Sequence, residues 1–182
     1  MMTNEELLVI GEKEGFGKEF SNLVSMMAYA RYTTILEVYE LTTEQLDYKY
    51  AEDANSVGML LAHLVAVEKF YQIDTFDKRQ ITDEDTEELN PGLELGAAAQ
   101  EQIHGEPALH YLQEMKKTRA RTLEMFKTLP DTWLYEQSPF FGGQTTNNYF
   151  RWFHVFEDEL NHRGQIRLIK KMMRKEHADG EQ

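Results

Sequence analysis

Four stretches of this chain repeat apolar residues at every third and fourth position, and little else in it is periodic. The first covers residues 18–40, KEFSNLVSMMAYARYTTILEVYE, where Leu23, Met26, Met27, Ala30, Thr34 and Val38 share a face. The second covers 57–76, with Leu60, Leu61, Leu64 and Val67 as its apolar side and Asn55 or Ser56 as N-cap. The third, 107–129, has Pro107 at a first helical position and Pro130 as its stop. The fourth, 148–175, ends in Arg167, Lys170, Lys171, Arg174 and Lys175, charges that complement the carboxyl end of a helix dipole. Alternating β-branched runs are missing, so no central strand is expected. The expectation is an all-α chain, a four-helix bundle with two long connections.

The connections carry their own signals. After the first helix comes LTTEQLDYKY, where Thr43 is the candidate cap of a short turn. Residues 77–105 are acidic and contain Asn90-Pro91-Gly92, which reads as a turn; LELGAAAQEQIHG within them reads as a short helix. Residues 130–147 hold Trp133, Tyr135, Phe140 and Phe141, and are expected to pack on the bundle or over a cleft. There is no internal repeat. Residues 1–182 are read as one domain, with 1–16 and 176–182 as flexible tails.

Composition excludes several functions. With no cysteine, the chain supplies neither a disulfide, nor a thiolate nucleophile, nor a thiolate zinc site. The net charge of −13 disfavours nucleic acid as a partner, because affinity for phosphates comes from lysine and arginine. No apolar run approaches the roughly 18 residues of a membrane span. The start, MMTNEELLVIGEKEGFG, has acids from Glu5 onward and no long apolar core, unlike a signal peptide. A reducing cytoplasm is the expected location. Phosphate-cradling glycine loops and a Gly-x-Ser-x-Gly elbow are also missing.

The histidines carry the remaining chemistry. His177 lies in the polar tail, His104 precedes Gly105 in a loop, and His110 begins the third helix; each reads as solvated. His63 differs, because Met59, Ala66, Val67 and Phe70 surround it at helical spacing. It is either a hydrogen-bonded core histidine or a metal ligand. In the fourth helix, WFHVFEDELNHRGQIRLIKK, His154, Asp158 and His162 recur four apart on one stripe. Asp158 and His162 can reach one ion, and His63 from a facing helix completes a set of three. Two imidazoles and one carboxylate suit Zn(II) or Ni(II), and also Fe(II) or Mn(II), with coordination positions left open. Gathering His154 as well would require one ion to span about 12 Å of helix rise, so His154 is expected outside the ligand set. A rival di-iron pattern, Glu159-x-x-His162 with Glu101-x-x-His104, lacks the further glutamates such a site needs.

The pairing of NSVGMLLAHLVAVEKFY with WFHVFEDELNHRGQIRLIKK resembles the DinB/YfiT-like superfamily, whose metal motif often ends in His-Arg-Gly-Gln, as in His162-Arg163-Gly164-Gln165 here. MMAYARYTTILEVYELTTEQLD is similar to that family's first helix and the connection after it. The likeness runs from about Phe20 to Met173. It implies a four-helix bundle with one open divalent site, held by His63, Asp158 and His162. Many members have histidine where this chain has Asp158; mycothiol-dependent relatives have glutamate there, so a carboxylate is not foreign to the position.

Characterised members of the superfamily include low-molecular-weight-thiol transferases and isomerases. The resemblance therefore implies a transferase acting on a bacillithiol-like thiol. Metal-dependent hydrolysis and non-enzymatic, stress-related metal binding are the alternatives. Candidate catalytic groups are Glu157, Glu159 and Arg163, with Glu68 as a further base and Arg163 as an attractor for an anionic thiol. The expected partners are a small-molecule substrate and a second copy of the chain. Tyr29, Tyr32 and Tyr39 place aromatics outside the apolar stripe of the first helix, where a homodimer interface is expected.

Overall fold

The computed structural model describes residues 7–180. Helix α1 (Lys18–Val38) is followed by a short α2 (Thr43–Asp47) and by α3 (Val57–Tyr71). A π-helical turn, Gln72–Asp77, extends α3. The acidic connection forms α4 (Asp83–Glu94) and α5 (Ala97–Gln102), and α6 (Ala108–Thr128) comes next. A 3-10 turn at Asp131–Tyr135 and two three-residue strands, β1 (Gln137–Pro139) and β2 (Thr145–Asn147), lead into α7 (Asn148–Gly180). The strands pair antiparallel, Gln137 opposite Asn147. Helices α1, α3, α6 and α7 form the expected four-helix bundle, and among the described residues the small ribbon is the one strand element.

The apolar stripes close two contiguous cores. In one, Phe20, Leu23 and Met27 of α1 meet Phe126 of α6 and Trp152 of α7, all completely buried. Phe76 stacks on Trp152 at 4.9 Å between ring centroids, and Phe126 meets the same ring edge-on at 4.8 Å. In the other, Leu60, Leu61 and Leu64 of α3 pack with Met115 and Ile166. Each such side chain contributes about 1.5–3 kcal/mol by leaving water.

Local chemistry sets the helix starts. The Ser56 hydroxyl accepts from Met59 N at 3.2 Å, so Ser56 rather than Asn55 caps α3. Thr42, one residue before the expected Thr43, caps α2 in a reciprocal box with Gln45. The box requires its hydroxyl three residues ahead of Gln45, and only Thr42 has that offset. Pro107 takes the cap position of α6, immediately before its first turn.

The expected turn in the acidic connection is corrected. Asn90-Pro91-Gly92 is not a turn but part of α4, with Pro91 inside the helix. A proline there costs about 3 kcal/mol in an isolated helix. Docking on α3 offsets that cost, through buried Leu89 and through Gly92, which lies against Ala62 and Ala66. The described aromatics of 130–147 pack on the bundle, one of the two outcomes expected of this loop. Trp133 is buried against Phe20 and Phe76, Tyr135 pairs with Tyr149, and Phe140 meets Phe150 edge-on; the side chain of Phe141 lies outside the described residues. Asn148 Nδ2 donates to the Trp133 carbonyl at 2.9 Å, which ties the turn down.

Of the expected tails, residues 1–6 and 181–182 fall outside the described residues. Residues 7–16 lie against α1: Lys13 N donates to the Ser21 hydroxyl at 3.0 Å, and Phe16 packs on the core. Helix α7 continues past 175 to Gly180.

Beneath the apolar layers, four charges are buried together, one from each bundle helix. Arg31 Nε donates to Glu159 Oε1 at 2.8 Å and its Nη2 to Glu68 Oε2 at 3.2 Å. Arg119 grips Glu68 with two nitrogens, at 2.7 and 3.0 Å, and lies 3.5 Å from Glu159 Oε2. Thr122 also donates to Glu68, at 2.7 Å. Burial pushes the Glu68 carboxyl up, but Arg119 and Arg31 outweigh it and hold the group below the usual carboxylate range. Two cations and two anions leave no net charge in the core, the condition under which such burial is tolerable.

Candidate metal centre

Above this network, α3 and α7 bring His63, Asp158 and His162 together. One donor atom from each lies within 4.8 Å of the others. His63 Nε2 is 3.2 Å from Asp158 Oδ2, and His162 Nε2 is 3.3 Å from Asp158 Oδ1. The two imidazole rings meet edge-on, 4.7 Å between centroids. The four-residue spacing on α7 stacks Asp158 and His162 on the face turned to α3, as the sequence stripe required.

His63 is oriented from behind. Its Nδ1 lies 2.8 Å from the carbonyl of Gly92. A carbonyl can only accept, so Nδ1 carries the proton and Nε2 is the nitrogen turned to Asp158. The Gly92 carbonyl belongs to the last turn of α4, where backbone oxygens have no partner within the helix. The imidazole thus satisfies a helix end, and the helix end fixes the imidazole, the arrangement that positions metal-bound histidines.

The residues present fit a divalent cation. Asp158 Oδ2 and His162 Nδ1 are buried without a hydrogen-bond partner. Burial pushes the Asp158 carboxyl up, but His162 and His63 outweigh that and hold it well below its ordinary range, so the site presents an ionised carboxylate. Two imidazoles and one carboxylate leave coordination positions open for a further ligand.

A cleft of about 370 Å³ opens on the cluster, lined by His63, Asp158, Val67, Phe70, Tyr71, Leu93 and His154. Burial pushes the Tyr71 hydroxyl up to about 12. His154 sits on the cleft wall one turn before Asp158, outside the three-residue cluster.

The other sequence candidates go elsewhere. Glu159 and Glu68 have their carboxylates committed to Arg31 and Arg119, which corrects their reading as bases. Arg163 turns to α1 and donates to the Thr33 hydroxyl, away from the cleft. Glu157 accepts from His154 Nδ1 at 3.0 Å. The di-iron rival does not assemble, since His104 bonds the backbone carbonyl of Glu101 at 3.1 Å on an exposed helix end. His110 pairs loosely with Glu106, 3.6 Å away, and the His177 side chain is outside the described residues. Gly92, Arg31 and Arg119 were not anticipated. Arginines on amphipathic helices read as solvated, and no sequence signal marks a backbone carbonyl. The one available hint was Glu68 on an otherwise apolar helix.

A family model described as mycothiol-S-transferase matches residues 22–175. The fold is similar to that of a DinB-like protein from Bacillus cereus ATCC 10987, with a TM-score of 0.64 and 17% identity over 84% of this chain and 91% of that one. No curated protein matches the chain. Since that match covers most of the chain and reaches all four bundle helices, the chain belongs to the mycothiol-S-transferase family.

Proposed function

We propose that this protein is a divalent-metal-dependent S-transferase that conjugates a low-molecular-weight thiol of the bacillithiol type to an electrophile. The carrying observation is the convergence of His63, Asp158 and His162, the first two in the wall of an apolar cleft, in a chain with no cysteine. The thiol must therefore come from outside. A divalent ion held by the three residues would supply the Lewis acidity that favours thiolate over thiol. Val67, Phe70 and Leu93 give the cleft apolar walls suited to a hydrophobic electrophile and exclude competing water. Zn(II) or Ni(II) suits the donor set best, with Fe(II) or Mn(II) as alternatives.

The thiol chemistry suits a reducing cytoplasm. Tyr29, Tyr32 and Tyr39 are 44%, 41% and 51% exposed along α1, and they support a homodimer through that helix, checked by sedimentation. Among the described residues, no helix is long and apolar enough to cross a membrane.

The test is metal analysis of untagged protein with a conjugation screen using bacillithiol, glutathione or cysteine and monochlorobimane. Wild type should hold one divalent ion per chain and accelerate conjugation; His162→Ala should do neither. Equal, near-zero metal in both after reconstitution refutes the reading. Metal binding with ester or lactone hydrolysis in place of conjugation would make it a hydrolase. Metal binding with no turnover would leave a metal-binding protein.

A further inference from the structure

Thiol transfer needs an acceptor for the sulfhydryl proton, and the carboxylates first considered for that work are engaged elsewhere. Glu68 and Glu159 are locked onto arginines. Tyr71, with its hydroxyl pushed up to about 12, stays protonated near neutrality. One group on the cleft wall remains. His154 lines the cleft together with two of the three clustered residues, His63 and Asp158.

Its side chain, 39% exposed, has neighbours on three sides. Nδ1 lies 3.0 Å from Glu157 Oε2. Phe150 is nearly parallel to it, 8° between planes and 6.4 Å between centroids, and Tyr71 meets it edge-on at 6.2 Å. Glu157 is itself tethered, since its second oxygen accepts from the Asn161 amide. A carboxylate on Nδ1 keeps the proton there and leaves the Nε2 lone pair available. Among the described residues, Nε2 has no hydrogen-bond partner. A His–Glu pair at i, i+3 on a helix surface is ordinary in itself. An imidazole with its donor nitrogen fixed, its acceptor nitrogen vacant and its ring in the wall of the reaction cleft is a general base in the making.

We propose that His154 is the proton acceptor for the thiol that enters this cleft, and that Glu157 is its positioning residue. This rests on the transferase reading above. The S–H bond breaks, and its proton passes to His154 Nε2. The sulfur electron pair then forms the bond to the electrophilic carbon, the leaving group departs with its own pair, and the imidazolium returns its proton to solvent. No oxidant or reductant is required.

The test uses full-length protein loaded with Zn(II), or with Co(II) for spectroscopy, and the bacillithiol–monochlorobimane reaction, in which chloride leaves. His154→Gln should keep one metal per chain and the wild-type Co(II) visible spectrum, while kcat falls by about 10²–10⁴-fold. Imidazole in the buffer should restore part of the rate to His154→Gly. Glu157→Leu should lose rate, and Glu157→Gln, whose carbonyl still accepts from Nδ1, should recover most of it. An unchanged kcat in His154→Gln overturns the proposal, and so does a lost metal or an altered Co(II) spectrum, since the ring would then be a ligand. If loaded wild type hydrolyses esters but transfers no thiol, the transferase reading falls and this proposal falls with it, whereas thiol transfer that His154→Gln leaves unchanged overturns this proposal alone. If wild type turns over neither class, both readings fall.

Discussion

Replacing Gly92 with alanine should weaken metal binding more than it weakens the fold. A Cβ at position 92 would lie 2.8 Å from Ala66 Cβ and 3.1 Å from the Ala62 carbonyl oxygen. Carbon contacts settle near 3.5–4.0 Å, so α4 must step back from α3 by roughly 1 Å. The His63–Gly92 contact of 2.8 Å would then stretch beyond hydrogen-bonding range. Losing the group that orients a ligand histidine typically costs about 10–100-fold in metal affinity, or about 1.4–2.7 kcal/mol. The stability account runs differently. Crowding costs about 1–3 kcal/mol, while alanine in place of glycine inside a helix returns about 1 kcal/mol. Zn(II) affinity is measured by competition with a chromophoric chelator, and apoprotein stability by urea unfolding. Gly164→Ala serves as the control, because a Cβ there meets open space on α7. Wild-type affinity in Gly92→Ala would refute the idea that the α4 carbonyl sets up the site. An equal loss in Gly164→Ala would show that the effect is not local.

Two further outcomes follow from the buried charges. Glu159→Ala should cost about 3–5 kcal/mol in urea unfolding, because it strands Arg31 and Arg119 in the core; a loss under about 1 kcal/mol would refute the coupling described here. Glu68 has a folded-state pKa below its unfolded value, so the stability it contributes is complete above the unfolded value and is lost as pH falls through the folded one. Urea midpoints measured on apoprotein should therefore drop as pH is lowered below about 4.3, with a shallower slope in Glu68→Gln; parallel slopes would refute the assignment.

The bundle was legible because its information is local. Stripes such as Leu60, Leu61 and Leu64 announce a helix and its buried side without knowledge of the partner. The same holds for Asp158 and His162, whose four-residue spacing is a property of one helix. His63 was legible because a histidine among Met59, Ala66 and Val67 needs a reason. What stayed hidden depends on pairs distant in sequence. Arg31 and Glu159 are 128 residues apart, and each alone looks like a charge on a solvated helix face. Asn90-Pro91-Gly92 has the local chemistry of a turn, and only docking on α3 turns it into helix. For Trp133 the sequence leaves bundle and cleft equally open, because a loop aromatic carries no mark of the direction it faces, and the core took it.

The four-charge knot implies something about how the bundle comes apart. Arg31, Glu68, Arg119 and Glu159 belong to four different helices, and detaching any one of them leaves an unbalanced ion among apolar neighbours. A three-helix intermediate is therefore penalised whichever helix leaves, and the bundle is driven toward all-or-none unfolding. Helix α4 contributes nothing to the knot and is held instead by Leu89, Gly92 and surface pairs such as Lys69–Glu88. Amide exchange should find α4 opening well before the bundle, so that the backing of His63 can be released while the fold beneath it stays shut.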